Sequence, residues 1–527
     1  MLRTLDRTHP EMTSDNILVW VNIDAANKAD VQLPHSFALL MLRAIAPSLS
    51  NPTMLHHDVQ YLDSQHGFRY TYPLTIFANF AGSVLKNHQV NEIFHQRNLA
   101  TPDDPGVVKP NVDTLYSRVV LDLSSQDVVL TVPEIEAERY WNYPVYDPFG
   151  QVVAEIGVVN GNKPGKYLIR RADDVHALPG YENGTHRSEH AFGGEHRWRS
   201  WSHGQHAEYQ GIVNLPGSYA TMLIRLLLIS NTTSDLTAVH KIQNATSLAT
   251  VRRAEVSVAP VLTSTALNGS FLGISSPARQ FEFAARLVPY SQPIVRSDTY
   301  RVATILARAG LYNGHYHPQA VNLTQAANIA NASITADITQ HVRDEGDGYQ
   351  LQTVAYQGFY GSHYSAAAYV ALGGYQQQTV KQTLYPGFQG PVFSSFYTLS
   401  ANGSWLFTFS GKPRVKAPGF WSLSVYGADQ YLIKNPLNRF EVGDRTYSLV
   451  YEDGTPVYGP AADATKDGPF HILLQPVDVP PPANWTSNWL PAERSFFMLL
   501  RWYYPEPAMT NGSYVYPRVQ NISQITA

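Results

Sequence analysis

The segment "VKPNVDTLYSRVVLDL" places hydrogen-bonding side chains directly before an apolar, alternating run that is typical of a strand. A carboxylate, a carboxamide and a phenol at this spacing suit either of two structures. They would line a binding site, with Asp113 as acid or base and Tyr116 polarising a substrate oxygen. Alternatively, Asn111 and Asp113 would accept backbone N–H bonds in a turn at the entrance of the strand. The polar members of the segment are Asn111, Asp113, Thr114, Tyr116 and Arg118.

A second group of candidate ligands lies in "THRSEHAFGGEHRWRSWSHGQHAEYQG", which contains five histidines and three glutamates. Neutral imidazoles beside carboxylates bind zinc, copper or iron, and His190 and His196 are the candidates for a metal site. The pair Gly193-Gly194 and the lack of an HExxH motif favour a solvated loop instead. The sequence therefore predicts no cofactor, with a metal ion at the two histidines as the alternative.

Other classes of site are excluded by what the sequence lacks. The chain has no cysteine, which excludes disulfides, thiolate nucleophiles and cysteine-ligated metals. GxSxG and GxGxxG motifs are missing, and "GNKPG" is one residue too short for a phosphate-binding loop. The net charge of −4 gives no basic field for nucleic acid.

The apolar runs are too short to span a membrane, and one of them, "TMLIRLLLIS", is interrupted by Arg225. We therefore expect a small-molecule ligand as the partner, with neither nucleic acid nor a membrane. Self-association into a homo-oligomer stays open.

Ten N-x-S/T sequons are present, where chance would give roughly four. This excess favours a secreted glycoprotein or one of the secretory-pathway lumen, and a turn-rich composition is the alternative explanation. The start "MLRTLDRTHPEMTSDN" has no apolar signal region, so the expected compartment depends on the sequons. Their asparagines are Asn183, Asn231, Asn244, Asn268, Asn322, Asn331, Asn402, Asn484, Asn511 and Asn521.

The order of apolar runs, helical periods and turn residues along the chain predicts an α+β, mainly β protein with two β-sandwich or jelly-roll-like modules joined by a helical middle segment. Residues 1–68 show no clear period and are predicted to be an N-terminal extension. An N-terminal β-rich module with helices is expected over 69–295 and a helical connection over 296–395. A jelly-roll-like module follows over 396–527, where short apolar runs alternate with the turn-forming residues Pro, Gly and Asn-Gly.

Individual elements follow from the local patterns. Helices are predicted over 234–246, from Ser297 to Gly310, in "QAVNLTQAANIANASITADITQHV" and in "YSAAAYVAL". "NGNKPGK" is predicted to connect two strands as a hairpin, and "RTYSLVYEDG" is predicted to be a strand. An Asp-Gly turn is expected in "YEDGTPVY".

From about Tyr70 to the end, the order of landmarks resembles a known family. The landmarks are "PNVDTLYS", "VVLTVPE", "RYWNYPVYDPFG", "FWSLSVYG", "IKNPLNRFEVGDRT", "NWLPA" and "LLRWYYPEP". This order is similar to the two-module family of unknown function whose halves are numbered twelve-fifty-four and twelve-fourteen. The resemblance implies a β-rich first module, a helical connection and a jelly-roll-like second module, and it implies no reaction. Its shared polar set corresponds here to Asn111, Asp113, Thr114, Tyr116, Asn435, Arg439, Asn488 and Arg501.

Three functions are consistent with these residues. The first is an enzyme or binding protein for a small organic molecule in a pocket between the modules, for which a fungal origin and secondary-metabolite tailoring are suggested. The second is a secreted glycan-binding or glycan-modifying protein, and the third is a non-catalytic structural protein. For the first, Asp113, Tyr116 and Arg439 are the predicted catalytic residues. The predicted substrate-binding residues are Asn111, Thr114, Asn435, Asn488 and Arg501.

Overall fold

The computed structural model describes residues 52–103, 108–183, 209–230, 232–253, 259–267, 276–392 and 396–526. Strands dominate two parts of the chain, and most of the helices precede or separate them. The fold is therefore α+β and mainly β, and the predicted fold class is confirmed. Contacts divide the chain after Asp58, and both strand-rich parts belong to the unit Val59–Ala527.

The first strand-rich part is a two-sheet sandwich. One sheet has the order β1-β2-β9-β4-β5 and is antiparallel throughout, whereas the other has the order β10-β3-β6-β8-β7 with β6 and β8 parallel. The strands are β1 (Ile93–His95), β2 (Thr114–Asp122), β3 (Gln126–Val132), β4 (Trp141–Tyr146), β5 (Val152–Gly157), β6 (Gly165–Arg171), β7 (Gly180–Asn183), β8 (Gly211–Leu215), β9 (Tyr219–Leu227) and β10 (Ser247–Arg252).

Strands β2 and β9 are buried on both faces, because the first sheet is covered on each side. Alternate residues such as Leu115, Val119 and Ile224 point into the sandwich core. Tyr116 and Leu223 belong to a different cluster on the opposite face of the same sheet. Side chains of a strand alternate between the two faces of a sheet. The pairing register of β2 with β9 therefore determines both which residues enter the sandwich core and which lie on the opposite face. The opposite face is called the outer face of the first sandwich.

The second strand-rich part is also a two-sheet sandwich. One sheet has the order β15-β23-β19-β20, with β17 also paired to β23, and the other has the order β22-β21-β18-β24. Its strands are β15 (Thr383–Leu384), β17 (Phe396–Thr398), β18 (Gly403–Phe409), β19 (Trp421–Gly427), β20 (Glu441–Gly443), β21 (Phe470–Pro476), β22 (Trp489–Ala492), β23 (Ser495–Tyr503) and β24 (Arg518–Ser523).

The core of the second sandwich is aromatic and contains Phe407, Phe409 and Trp421. The same alternation divides β19 and β23, because Leu423 and Leu500 point into this core. The intervening positions on the outer face carry Ser422, Ser424 and Tyr426 in β19, and apolar residues together with Arg501 and Tyr503 in β23. Smaller sheets pair β11 (Leu311–Tyr312) with β12 (His315–Tyr316), and β14 (Tyr349–Gln352) with both β13 (Val342–Gly346) and β16 (Gly387–Phe388).

Six described helices complete the fold. Those predicted in the middle of the chain are present, and the one predicted over 234–246 is found at Thr233–Ala245, where the Thr232 hydroxyl accepts a bond from Asp235 N. The helices are α1 (Pro52–Leu85), α2 (Thr233–Ala245), α3 (Pro277–Leu287), α4 (Thr299–Arg308), α5 (Leu323–Gln340) and α6 (Tyr364–Gly373).

Helix α1 was missed, since the sequence predicts no regular element before residue 68. Its apolar residues are buried around most of its circumference and form no single stripe, and Phe68, Leu74 and Phe77 pack in one core with Phe281 of α3. A helix that is buried on several sides lacks the period that sequence patterns detect. The internal Pro73 is a further signal against a helix.

Two other local predictions are wrong. The strands β5 and β6 on either side of "NGNKPGK" belong to different sheets, so the segment connects the two sheets and is not a hairpin. A 3-10 turn at Val158–Asn160 and the left-handed Gly161 turn the chain out of the first sheet. "RTYSLVYEDG" forms turns with a single bridge at Val450, whereas its Asp453-Gly454 turn is as predicted.

We expect Phe407→Ala to lower the free energy of unfolding by about 3–5 kcal/mol, because a large buried side chain leaves a cavity. Phe407 is 1% exposed in the second core. The matched control is Phe359→Ala, since Phe359 is 47% exposed; its effect should stay within about 0.5 kcal/mol. Urea unfolding followed by tryptophan fluorescence measures both, and equal effects would contradict this description of the core.

Candidate functional site

The Asn111 side chain closes a turn and also joins the two sandwiches. Its Oδ1 accepts bonds from Asp113 N at 2.6 Å and Thr114 N at 3.2 Å, which is the turn predicted at the entrance of β2. Its Nδ2 donates to the Tyr503 hydroxyl of β23 at 3.0 Å. The two interpretations of this segment are therefore not exclusive, because the turn also presents polar groups to the second sandwich.

Asp113 makes an ion pair with Arg445 of the second sandwich. Arg445 also donates to Asp444 at 2.8 Å and lies over the Phe420 ring at 4.5 Å. The second carboxylate oxygen of Asp113 is buried and has no hydrogen-bond partner among the described residues. One side of this carboxylate is thus fixed, and the other side is free to accept a hydrogen bond.

Arg225 lies on the outer face of the first sandwich, directly opposite Tyr116 in the β2–β9 register. It is 5% exposed. Its Nη1 donates to the Tyr146 hydroxyl at 3.2 Å and to Leu223 O at 3.1 Å, and its Nη2 donates to Gln376 O at 3.4 Å. These acceptors are all uncharged, and within the described ranges no carboxylate lies within 4 Å of this guanidinium.

Arg501 occupies the corresponding place on the outer face of the second sandwich. It is 4% exposed, and its Nη1 donates to Ser424 Oγ at 3.0 Å and to the Tyr426 hydroxyl at 2.9 Å. Its Nη2 crosses to Lys109 O, just before the Asn111 turn, at 2.9 Å. Where the chain is described, this arginine too has no ion-pair partner.

A set of tyrosines connects the two arginines, and together they are called the tyrosine–arginine cluster. Tyr116 and Tyr503 interact electrostatically with both guanidinium groups, and the Tyr116 ring centre lies 5.9 Å from the Arg225 guanidinium carbon. The cluster consists of Tyr116, Tyr146, Tyr385, Tyr503, Arg225 and Arg501. It lies between the outer faces of the two sandwiches.

Three hydroxyls of this cluster accept hydrogen bonds without donating one. Tyr116 accepts from Asn111 N at 3.2 Å, Tyr146 accepts from Arg225 and Tyr503 accepts from Asn111 Nδ2. No acceptor for their protons occurs among the described residues. Burial raises the pKa of Tyr146 and of Tyr503, so both hydroxyls stay protonated at neutral pH. The cluster therefore has spare O–H donors.

The two guanidinium groups of the cluster are positive near neutral pH, and the carboxyl of Glu155 acts on Arg225 at longer range. Burial opposes the cationic form of each guanidinium, but the surrounding tyrosine oxygens offset it, and the pKa of Arg225 and of Arg501 stays above its ordinary value. Glu441 acts on Arg501 at longer range, and burial raises the pKa of Glu441 to about 8. This carboxyl is then mostly neutral at pH 7 and provides little counter-charge.

A glutamine-rich segment closes one side of the cluster. Gln378 Oε1 accepts from Asn142 Nδ2 at 2.6 Å, and Gln376 Nε2 donates to Thr221 Oγ1 at 2.8 Å. Tyr375 and Gln376 have φ of 49° and 56°, the left-handed region that costs energy for residues other than glycine. Strained residues of this kind are common at binding sites.

The other predicted site residues of the second module stabilise the second sandwich. Arg439 donates to the carbonyls of Thr486, Ser487 and Trp489, and Asn435 closes the turn that leads to Arg439. The Asn488 side chain accepts a bond from Val450 N and donates one to His471 O. The Thr114 hydroxyl is buried without a partner among the described residues. Their catalytic or binding roles stay predictions.

Metal binding finds no support in the described part of the chain, where no three His, Cys, Asp or Glu side chains are grouped to hold an ion. His190 and His196 lie outside the described residues. None of the described helices is both long enough and apolar enough to cross a bilayer.

Sequence reasoning found Asn111, Tyr116 and Arg501 but missed Arg225, Tyr146, Tyr385 and Tyr503. A signal was present, since Arg225 and Arg501 each interrupt an aliphatic strand, in "MLIRLLL" and in "FMLLRWYY". An arginine inside a strand buried on both faces must meet a polar environment. A pattern within one strand does not show that both arginines lie near the same tyrosines, Tyr116 and Tyr503.

Two family models match the chain, each described as a protein of unknown function. DUF1254 matches residues 90–250 and DUF1214 matches residues 397–507. The chain is a two-module DUF1254–DUF1214 protein. The predicted resemblance is confirmed in both halves and in their order. Tyr116, Tyr146 and Arg225 belong to the DUF1254 module, and Arg501 and Tyr503 belong to the DUF1214 module.

One solved structure shares the fold of this DUF1254–DUF1214 protein. The VPA0106 protein from Vibrio parahaemolyticus is similar with a TM-score of 0.56 and 16% identity, over 88% of this chain and 100% of that chain. A putative uncharacterized protein from Burkholderia cenocepacia has a TM-score of 0.40 and 12% identity, over 87% of this chain and 88% of that one. A comparison with curated proteins gave no match.

We expect Glu441 to make the stability of the protein fall as pH rises. Its pKa in the folded protein is about 8 and its ordinary value is 4.5, so folding favours the protonated form. The stabilisation is complete below about pH 4.5 and is lost as pH rises through about 8. Relative to Glu441→Gln, the wild-type protein should lose about 5 kcal/mol across this range.

Urea unfolding of both proteins at several pH values measures this difference. The control is Glu452→Gln, which removes an exposed glutamate in the same module. A wild-type curve that runs parallel to that of Glu441→Gln would show that Glu441 is ionised in the folded protein.

Proposed function

We propose that the protein binds a small organic molecule carrying an oxyanion at the tyrosine–arginine cluster, between its two modules. The observation that carries this proposal is the burial of Arg225 and Arg501 without a carboxylate within 4 Å among the described residues. A buried cation is costly unless a negative group compensates it. A bound carboxylate, enolate or phenolate would supply that group.

The hydroxyl donors support the same ligand chemistry. Tyr116, Tyr146 and Tyr503 hold protons for which the described residues offer no acceptor, and an anionic oxygen accepts several such bonds at once. Inside a protein these bonds are stronger than in water, because the local dielectric constant is low. The combination of two guanidinium groups and spare phenols therefore selects an anion over a neutral ligand.

The same arrangement would support catalysis through an oxyanion. Groups that bind a ground-state carboxylate also stabilise negative charge that develops on a carbonyl oxygen. In this proposal Tyr116 and Arg501 polarise the oxygen, whereas Arg439 is occupied by backbone carbonyls of its own module. Asp113 is the candidate base, through the carboxylate oxygen that is free of Arg445.

Calorimetric titration with benzoate, compared with its neutral analogue benzamide, tests the proposal. We expect benzoate to bind and benzamide to bind at least tenfold more weakly, because only benzoate compensates the buried charge. Tyr116→Phe and Tyr146→Phe should each weaken benzoate binding about tenfold, since a hydrogen bond to a charged group is lost. Equal affinity for the two compounds would refute an anion site.

The matched control is Tyr143→Phe. Tyr143 is a fully buried tyrosine of the same strand β4, but it points into the sandwich core and its hydroxyl bonds Thr246 Oγ1 at 2.9 Å. Its substitution should leave benzoate affinity unchanged. A loss of affinity equal to that of Tyr146→Phe would mean that any buried phenol affects the titration.

A second proposal concerns the compartment: we infer that the protein is a glycoprotein of the secretory pathway. Its support is that every sequon asparagine within the described residues is exposed, and Asn231 and Asn268 lie outside them. The exposed ones are Asn183, Asn244, Asn322, Asn331, Asn402, Asn484, Asn511 and Asn521. Oligosaccharide can be attached only where the asparagine is accessible. Fungal origin and secondary-metabolite tailoring stay predictions, as does the glycan-binding alternative.

Expression in a eukaryotic secretory host and removal of N-glycans by an amidase test this inference. We expect a mass loss that corresponds to several glycans, with peptide mapping that places them at exposed sequons such as Asn402 and Asn511. Protein that reaches the medium without any change in mass would contradict it.

A further inference from the structure

A cavity of about 230 Å³ lies among the helices, away from the tyrosine–arginine cluster. It is formed by α1, α4, the end of α5 and the segment that leads into α6. Its charged side chains and imidazoles are His66, Arg69, Arg301, Asp337 and His363. Its apolar wall contains Val302, Ile305 and Leu306 of α4. The cavity therefore combines a basic rim with an aliphatic side.

Arg69 is the unsatisfied group of this cavity. Its Nε is buried without a hydrogen-bond acceptor in the described residues. Asp337 acts on it electrostatically, but no hydrogen bond or ion pair joins the two within the described ranges. An arginine has five N–H donors in a fixed plane, and leaving them without acceptors is costly. An acceptor from outside the chain would remove this cost.

The nearby carboxylates are already engaged. Asp298 accepts the Tyr364 hydroxyl at 2.6 Å and Arg301 Nη2 at 2.9 Å. Asp337 lies 3.5 Å from His341 Nδ1 and accepts a bond from Tyr356. The carboxylates thus have their partners, whereas Arg69 has none within the described chain and Arg301 has donors to spare.

The histidines complete a set of groups suited to an anion. Burial lowers the pKa of His66, and the nearby Arg69 and Arg301 lower it further, so its imidazole is neutral at pH 7 and can donate one hydrogen bond. His363 packs against Tyr356 with ring centres 4.7 Å apart. Two guanidinium groups and an imidazole donor then surround the same space.

We propose that this cavity is a second binding site, which takes a small organic molecule bearing a phosphate or carboxylate group. The oxyanion would accept bonds from Arg69 and Arg301. Arginine is the residue type whose planar group of N–H donors best matches carboxylates and phosphates. The organic part would pack on Val302, Ile305 and Leu306. The site is separate from the proposed ligand site of the tyrosine–arginine cluster and does not depend on it.

Calorimetric titration of the full chain with phenyl phosphate and with phenylacetate tests this site. We expect at least one of the two to bind, and inorganic phosphate to bind at least fivefold more weakly because it makes no contact with the aliphatic wall. Arg69→Gln and Arg301→Gln should each weaken binding tenfold or more. Binding of neither compound would overturn the proposal.

The matched control is Arg308→Gln. Arg308 lies on the same helix α4 and carries the same guanidinium group as Arg301. It is largely exposed and does not line the cavity. Its substitution should change affinity less than twofold. Equal losses of affinity in Arg308→Gln and Arg301→Gln would show that the probe responds to the positive charge of the surface in general, and would overturn the proposal. Loss in Tyr146→Phe with no loss in Arg69→Gln would place the probe in the tyrosine–arginine cluster and overturn it as well.

Discussion

The structure depends on one constraint: a sheet in each sandwich is buried on both of its faces. A strand in such a sheet has no side that water can reach, so every polar residue in it must find a partner inside the protein. In β9 and β23 the inward positions are filled by apolar residues of the two cores. The intervening positions carry Arg225 and Arg501, and the space between the sandwiches has to accommodate two cations.

The contacts across that space show how the cations are held. Uncharged acceptors from both modules, and the backbone of the segment before β2, surround the guanidinium groups. The Asn111 turn belongs to the same arrangement. The Asn111 Oδ1 accepts the backbone bond that closes the turn, and its Nδ2 donates to the Tyr503 hydroxyl. Local structure and the candidate site are therefore built by the same residues, and a substitution at Asn111 acts on both.

Much of this architecture could be predicted from the sequence, and the rest could not for physical reasons. Short alternating runs identify strands such as β18 and β21, and capped amphipathic segments identify α2 and α5. Helix α1 was not predicted because its buried side chains lie around most of its circumference and form no single apolar stripe. The connection between β5 and β6 escaped because strand pairing depends on distant partners, which a local pattern does not specify.

The residues of the candidate site also divide into those that the sequence identifies and those that it does not. Asn111 and Tyr116 stand in a polar motif and could be identified from it, whereas Arg501 was predicted through the resemblance. The assembly of Arg225 with Tyr146 and Tyr503 could not, because it joins three strands from two modules. The roles predicted for Arg439 and Asn488 rested on the resemblance alone, and their observed hydrogen bonds run to the backbone of the second sandwich.

The ion pair between Asp113 and Arg445 has a consequence for how such a protein can evolve. Each module supplies one charge of a pair that is buried only when the modules are together. A gene that encoded either module alone would produce a sheet with an uncovered face, and the first module would carry Asp113 without Arg445, whereas Arg445 would keep only Asp444. Such a fragment is prone to aggregate, so selection should keep the two coding segments joined or co-expressed and resist their shuffling into other domain combinations.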